Sequence, residues 1–533
     1  MNGRLKEKKG FCYLWAALVV AASTIPTAAG YLYAPEGSIF TGNARFTLDY
    51  NTYLSFIFQA NEGHLLFQEM YWPWPNPPLL FQPLFLLLGL FSRFTGMTIT
   101  AAHEMGRIAF GLILLAVIYR LISLVFKDGF ERSAAFILVS FGGGLAWAYP
   151  WLNPGGITIE QHFLTGWVEA NTFLSILAFP LFSSSLVLMV STCILLLRLL
   201  EKGGLKRCVL LGISAGLLSL NHPYDTVIIF CVCTAFLTLC FFLMRDRFGT
   251  ARIFQGFISI CVSLSAAAAY LYTASRANPA FSYWSRNMFD PSPPFAWVAA
   301  NFGFIAPMAV IGIFGALAAR KRNPGLILLS VWGVVGSLII YLPFNFQRRL
   351  IEGLHIPLSL LAAHGIFWLA SSRKKLRTRF AVLFILLCLP ANIMTIAWSV
   401  RQLKENNGRL SPYITRDEND ALDWLKTHTG RDAAVLAGYR MSNNIPAFSG
   451  NHVFWGRWVN EAVFAGRHAL VRDFFSSSTA DSHRLFFAAE NNIRYLFWEK
   501  DVARETSFNP YASTFLDPVY RNGEVTVFKV AAP

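Results

Sequence analysis

The chain has 533 residues, of which 55% are hydrophobic and 14% charged, and its mean hydropathy is +0.45. Soluble domains carry about 25% charged residues; the deficit here falls between residues 10 and 400, which excludes a wholly water-soluble protein. The net charge of +15 sits mostly in short loops between apolar runs, so it is topogenic and excludes a nucleic-acid partner.

Arg4, Lys6, Lys8 and Lys9 place the N-terminus in the cytoplasm. A first span follows at 11–30, without a small-residue cleavage site. Further spans are predicted at 103–126, 133–150, 181–200, 206–222, 225–244, 253–272, 297–319, 325–343, 354–371 and 380–398. Each is near the ~20 residues that cross ~30 Å of hydrocarbon. Basic clusters at Lys127/Arg132, Lys202/Arg207, Arg245/Arg252, Arg320/Arg322 and Arg373/Arg379 agree in parity. A crossing by 79–95, which carries Gln82, Pro83 and Arg93, would break that parity, so this segment dips in without crossing. About eleven spans then give an external C-terminus in the inner (plasma) membrane.

The first external loop, 31–102, holds an amphipathic stretch in which Leu48, Leu54, Ile57, Phe58 and Leu65 share one side. A helix lying in the interface plane is expected there. Asp49, near its start, suits a general base or a metal ligand, the alternative being a helix N-cap or a solvated charge. Tyr71, Trp72 and Trp74 follow among prolines, as a stacking platform for a sugar or as an interfacial aromatic belt. The second loop, 151–180, brings Glu160, His162 and Glu169 into an acid-poor region, and Glu169 is placed to join Asp49. Asn221-His222-Pro223-Tyr224-Asp225 puts ionisable groups at a membrane edge, where they mark a site or a capped turn. Arg348 and Arg349 lie externally, against the positive-inside tendency, and their guanidinium forks match phosphate oxygens. His355 opens the next span.

All eight cysteines lie in apolar runs, as small buried hydrophobes. No nucleotide-binding or zinc-binding motif is present. Beyond residue 399 the composition is that of a soluble α/β domain. A helix is expected at 416–429 and another at 481–491, with strands at 433–437 and 494–498. A hairpin with a type I′ turn at Asn522-Gly523 closes it.

The first span, LDYNTYLSFIFQANEGHLLFQEMYW with NPPLLFQPLF, and the external QRRLIEGLHIPL together resemble the GT-C superfamily of membrane glycosyltransferases. That resemblance implies a mostly α, polytopic helical membrane domain at 1–399 with interfacial helices, and an extracytoplasmic α/β domain at 400–533. It implies transfer of a sugar from a polyprenyl-phosphate-linked donor to a glycan, lipid or protein acceptor on the outer face. It assigns the catalytic carboxylate to Asp49 and the lipid phosphate to Arg348 and Arg349. Glu169 is a second catalytic candidate; His222, Tyr71, Trp72, Glu160, His162 and His355 are candidates for binding substrate. Asp49 is followed by Tyr50, and Glu160 and Glu169 are separated, whereas many members pair their acids. An acid-only mechanism and one assisted by Mg or Mn at Asp49 and Glu169 both stay open. The competing readings are a flippase or a scaffold for lipid-linked glycans.

Overall fold

The computed structural model describes residues 9–43, 45–148, 167–319, 322–370, 374–405, 411–457 and 461–531. Among these, seven helices are long and apolar enough to cross a membrane: Gly10–Leu32, Ile99–Val125, Pro180–Lys202, Asp225–Phe248, Thr250–Ala277, Gln347–Leu369 and Leu376–Glu405. The segment predicted at 297–319 is broken into Phe295–Phe302 and Ile305–Ala318, bent by 83°. Gly303, with φ of 53°, sits in the break. The prediction at 133–150 is helical over Gly129–Phe141, and that at 206–222 over Leu205–Asn221. Pro83–Thr95 and Pro324–Ile339 are shorter apolar helices. The chain is a multi-pass membrane protein.

Packing divides the chain into two units: Met1–Ile25, Gly106–Leu271 and Asp290–Trp398 form one, and Pro26–Met105, Tyr272–Phe289 and Ser399–Pro533 the other. In the first unit, helix Ile305–Ala318 packs on His355–Leu369 through glycines. A Cβ on Gly365 would lie 2.5 Å from the Met308 carbonyl oxygen, and one on Gly312 would overlap the Leu361 carbonyl. Lipid supplies no hydrophobic drive between helices, so close backbone approach and dispersion hold such a pair.

In the second unit a short antiparallel pair joins β1 (Ser38–Phe40) to β2 (Tyr413–Thr415). The larger sheet contains β3 (Ala434–Ala437), β4 (His452–Val453), β5 (Ile493–Glu499), β6 (Leu516–Arg521) and β7 (Val525–Val530). Its order is β4-β3-β5-β7-β6. The β3 pairings are parallel and those of β7 antiparallel. Alternation along the strands builds a core on each face. Val435, Phe497 and Val527 pack with Leu422 and Leu425 of helix Arg416–His428. Leu436, Leu496 and Phe528 pack with Phe474 and Ala488 on the other side.

Two local expectations are corrected. The helix at Thr47–Asn61 does not present an amphipathic face to a lipid surface: it is buried on nearly every side, against Pro83–Thr95 and Tyr439–Phe448. Its polar residues are satisfied inside: the Asn51 amide donates to Asn444 Oδ1 at 3.2 Å, and Gln59 brackets the backbone of Gln68. Leu65, expected on its apolar face, lies beyond the helix and is exposed. The β6–β7 hairpin forms, but neither Asn522 nor Gly523 has the positive φ of a type I′ turn. Instead Asn522 Oδ1 accepts from the amides of Glu524 and Val525, closing a three-residue loop.

Candidate functional site

The first unit gathers seven ionisable side chains from four separate parts of the chain. The 3₁₀ turn Gln347–Ile351 carries Arg348 and Arg349. Backbone bonds fix that turn to the Asp290 stretch: Asp290 N donates to Asn345 O at 2.6 Å, and Arg348 N to Asp290 O at 3.1 Å. Gln347 Oε1 accepts from Ser292 N at 3.2 Å. The Asp290 carboxylate accepts from Arg348 Nε and Nη2 at 2.6 and 2.8 Å, a bidentate fork, and lies 3.3 Å from Arg349 Nε.

Glu169 sits in a short 3₁₀ turn, Val168–Ala170, and is buried. Its two oxygens each face one arginine, 3.5 Å from Arg348 Nη1 and 3.5 Å from Arg349 Nη1. Those separations are ion pairs rather than hydrogen bonds. Among the described residues Arg348 Nη1 therefore keeps donor capacity for an incoming oxyanion, while Nε and Nη2 are held by Asp290. The Arg349 guanidinium lies over the Tyr224 ring, 5.5 Å from its centroid. Both arginines retain partial exposure, 24% and 22% of their side chains. Two cations aligned by two buried or half-buried acids, with an open side, can receive a phosphate without reorganising.

A second group adjoins the turn. Pro223 ends helix Leu205–Asn221, His222 caps it, and Asp225 opens the next helix. His222 Nδ1 lies 3.2 Å from Asp225 Oδ1 and 2.8 Å from Glu352 Oε2. Glu352 follows the arginine turn directly, its amide donating to Arg349 O at 3.3 Å. All three side chains are buried.

The remaining predicted residues fall elsewhere. Asp49 belongs to the second unit, in the first turn of helix Thr47–Asn61. It is half-buried, and its carboxylate makes no ion pair or side-chain hydrogen bond among the described residues. It is not the N-cap, which is Phe46. Tyr71 is fully buried in the sheet core, its hydroxyl donating to Asn443 O at 2.9 Å, so it offers no face to a sugar. Trp72 is half-buried against Trp74, Tyr283 and the Arg467 guanidinium. His355 is buried with both ring nitrogens engaged, by Thr172 Oγ1 at 2.9 Å and Ser359 Oγ at 3.2 Å. Glu160 and His162 lie outside the described residues. Asp290 and Glu352 were not anticipated. Each had a signal: a lone acid in an external loop, and an acid three residues after the arginine pair.

Glu418, Glu499 and Asp501 form another acidic group in the second unit, lining or bordering a cleft of about 380 Å³. Arg440 occupies it, bonding all three, with Glu499 Oε2 at 3.0 Å and Asp501 Oδ2 at 3.2 Å. Burial, reinforced by Glu418 and Asp501 against the opposing pull of Arg440, holds the Glu499 carboxyl well above the usual range. With its centre filled by a guanidinium, this group is an ion-pair network.

No protein-family model matches the sequence, and no curated protein matches it. Solved structures do. One is the archaeal oligosaccharyltransferase AglB from Archaeoglobus fulgidus, in complex with an inhibitory peptide and a dolichol-phosphate. It has a TM-score of 0.55 and 13% identity over 92% of this chain and 70% of that one. Another is arabinofuranosyltransferase AftD from Mycobacteria, with a TM-score of 0.56 and 14% identity over 97% and 40%. A third is ArnT from Cupriavidus metallidurans, with a TM-score of 0.51 and 11% identity over 97% and 99%. The chain has the GT-C fold.

Proposed function

We propose that this chain of GT-C fold is an integral-membrane glycosyltransferase. It moves a sugar from a polyprenyl-phosphate-linked donor to an envelope acceptor on the extracytoplasmic face. The observation that carries the reading is the arginine pair, Arg348 and Arg349, aligned by Asp290 and Glu169 beside an apolar helix. Lipid-linked sugars carry a phosphate, and AglB was solved with a dolichol-phosphate and, in another structure, the same organism's oligosaccharyltransferase with an acceptor peptide.

In the reaction, an acceptor oxygen bonds to the anomeric carbon while the bond from that carbon to the phosphate oxygen breaks. The electron pair leaves with the polyprenyl phosphate, and the guanidinium groups offset the charge gathering there. Phosphate leaves readily, so a strong general acid is unnecessary. The resemblance assigns the acceptor's proton to Asp49, whose carboxylate is uncommitted among the described residues. Glu169 acts as a positioning residue for the arginines in this scheme, since both its oxygens already face them. A structure of the Archaeoglobus fulgidus oligosaccharyltransferase holds Zn and sulfate, which supports testing divalent ions in the assay.

Binding of a short-chain polyprenyl phosphate to the purified protein tests the arginine roles. A charged hydrogen bond is worth about 1.5–3 kcal/mol, so Arg348→Ala should weaken binding by roughly 10- to 150-fold. Equal affinity in wild type, Arg348→Ala and Arg349→Ala would remove the basis of this reading.

A further inference from the structure

We infer that His222, Asp225 and Glu352 form a binding site for one divalent transition-metal ion, of the Zn²⁺ or Mn²⁺ kind. The inference does not depend on the transferase reading. Three ligand-type atoms, one from each side chain, lie within 4.8 Å of one another. None of the three residues is more than 5% exposed, and Asp225 and Glu352 are at 0%.

The second observation is what these groups lack. Asp225 Oδ2 and Glu352 Oε1 are buried and accept no hydrogen bond from a backbone amide or from a cationic or neutral donor among the described residues, and the two carboxylates lie within hydrogen-bond reach of each other. A carboxylate oxygen withdrawn from water without a partner is costly, and two beside each other more so. His222 Nδ1 faces both acids, at 3.2 and 2.8 Å, yet it holds at most one proton and cannot bond fully to each. A divalent ion answers all of this together. It accepts the imidazole nitrogen and both carboxylates, and it cancels two negative charges with a neutral histidine. Ligands about 2.1 Å from a metal stand roughly 3.0–3.4 Å apart in octahedral or tetrahedral arrangement. The observed nitrogen–oxygen separations are close to that. The imidazole ligand favours Zn²⁺, and the two carboxylates also admit Mn²⁺, whereas Mg²⁺ and Ca²⁺ prefer all-oxygen shells.

The site has a mechanical consequence. His222 and Asp225 belong to the turn between two long helices, and Glu352 ends the turn that carries Arg348 and Arg349. A bound ion would pin the arginine turn to that helix hairpin, so its role is positioning.

The test uses the full chain, purified in detergent, stripped with a chelator, and then loaded with Zn²⁺ or Mn²⁺ alone. Bound metal is counted after desalting, and the thermal midpoint is followed during titration. The wild type should retain about one ion per chain and gain thermal stability, with little response to Mg²⁺. Asp225→Asn and Glu352→Gln should each weaken retention at least about tenfold, while Asp49→Asn keeps it. Glu352→Asp, which preserves the donor, should recover part of the affinity if Glu352→Gln fails to fold. The inference is overturned if the wild type keeps neither ion. It is equally overturned if folded Asp225→Asn and Glu352→Gln bind as wild type does, or if Asp49→Asn is the variant that loses the metal.

Discussion

Arg440 answers to three carboxylates at once, and the arithmetic of that arrangement is readable in pH. Glu499 is fully buried and its pKa is raised, so the folded chain holds this proton more tightly than the unfolded chain. Its contribution to stability is therefore complete below the unfolded value, about 4.3, and declines as pH rises through the raised folded value. Thermal midpoints should fall with rising pH across that window in wild type, and Glu499→Gln should flatten the fall. An unchanged slope in the variant would show that Glu499 is already ionised. At this scale the sequence pointed well to charge and poorly to partnership. Arg348, Arg349 and the His222–Asp225 turn stood out because ionisable groups are rare in such surroundings. Asp290 did not, because nothing in linear order ties it to a residue 58 positions later, and Glu352 was passed over beside the arginines that precede it. Tyr71 had the composition of an interfacial anchor; only the fold reveals a core residue.

At the scale of single elements, the glycine contact between Ile305–Ala318 and His355–Leu369 is the tightest helix pairing described. Gly365→Leu would drive a side chain into the Met308 carbonyl, and overpacking of this kind costs about 1–3 kcal/mol or more. The expected outcome is a lowered thermal midpoint with native elution lost on mild heating; wild-type behaviour would mean that these helices separate freely. The capping box at helix Arg416–His428 makes a smaller claim. Thr415 Oγ1 accepts from Glu418 N at 3.2 Å, and Glu418 Oε2 accepts from Thr415 N at 2.9 Å. Thr415→Ala should cost about 1 kcal/mol in chemical unfolding of this region. That helix, the strands β3 and β5 and the helix Asp481–Glu490 were all legible, because caps and alternation are local signals. Helix Thr47–Asn61 was legible as a helix, but its burial on nearly every side was not. A pattern of mixed polar and apolar residues reads as a water–lipid boundary, whereas Asn51 and Gln59 spend their polarity on other protein groups. The hairpin's turn type failed for a related reason: the Asn522 side chain closes the loop that backbone twist was expected to close.

For the molecule as a whole, hydropathy exposed the membrane character, and loose motifs spread along the chain carried the resemblance to the GT-C fold. Hydropathy could not reveal that Pro26–Met105 and Tyr272–Phe289 belong with Ser399–Pro533 in one packed unit, since β1 and β2 lie far apart in sequence. The proposed function is transfer of a sugar from a lipid phosphate. The most direct measurement incubates the purified chain with a panel of polyprenyl-phosphate sugars and an envelope extract as acceptor, with water as the alternative nucleophile, and follows release of polyprenyl phosphate, in wild type and Asp49→Asn. The account predicts that wild type cleaves at least one donor, and that Asp49→Asn binds that donor but leaves it intact. Cleavage by Asp49→Asn at the wild-type rate would contradict the role of that carboxylate. Passage of an intact lipid-linked sugar across vesicles, with no donor cleaved, would contradict the transferase itself.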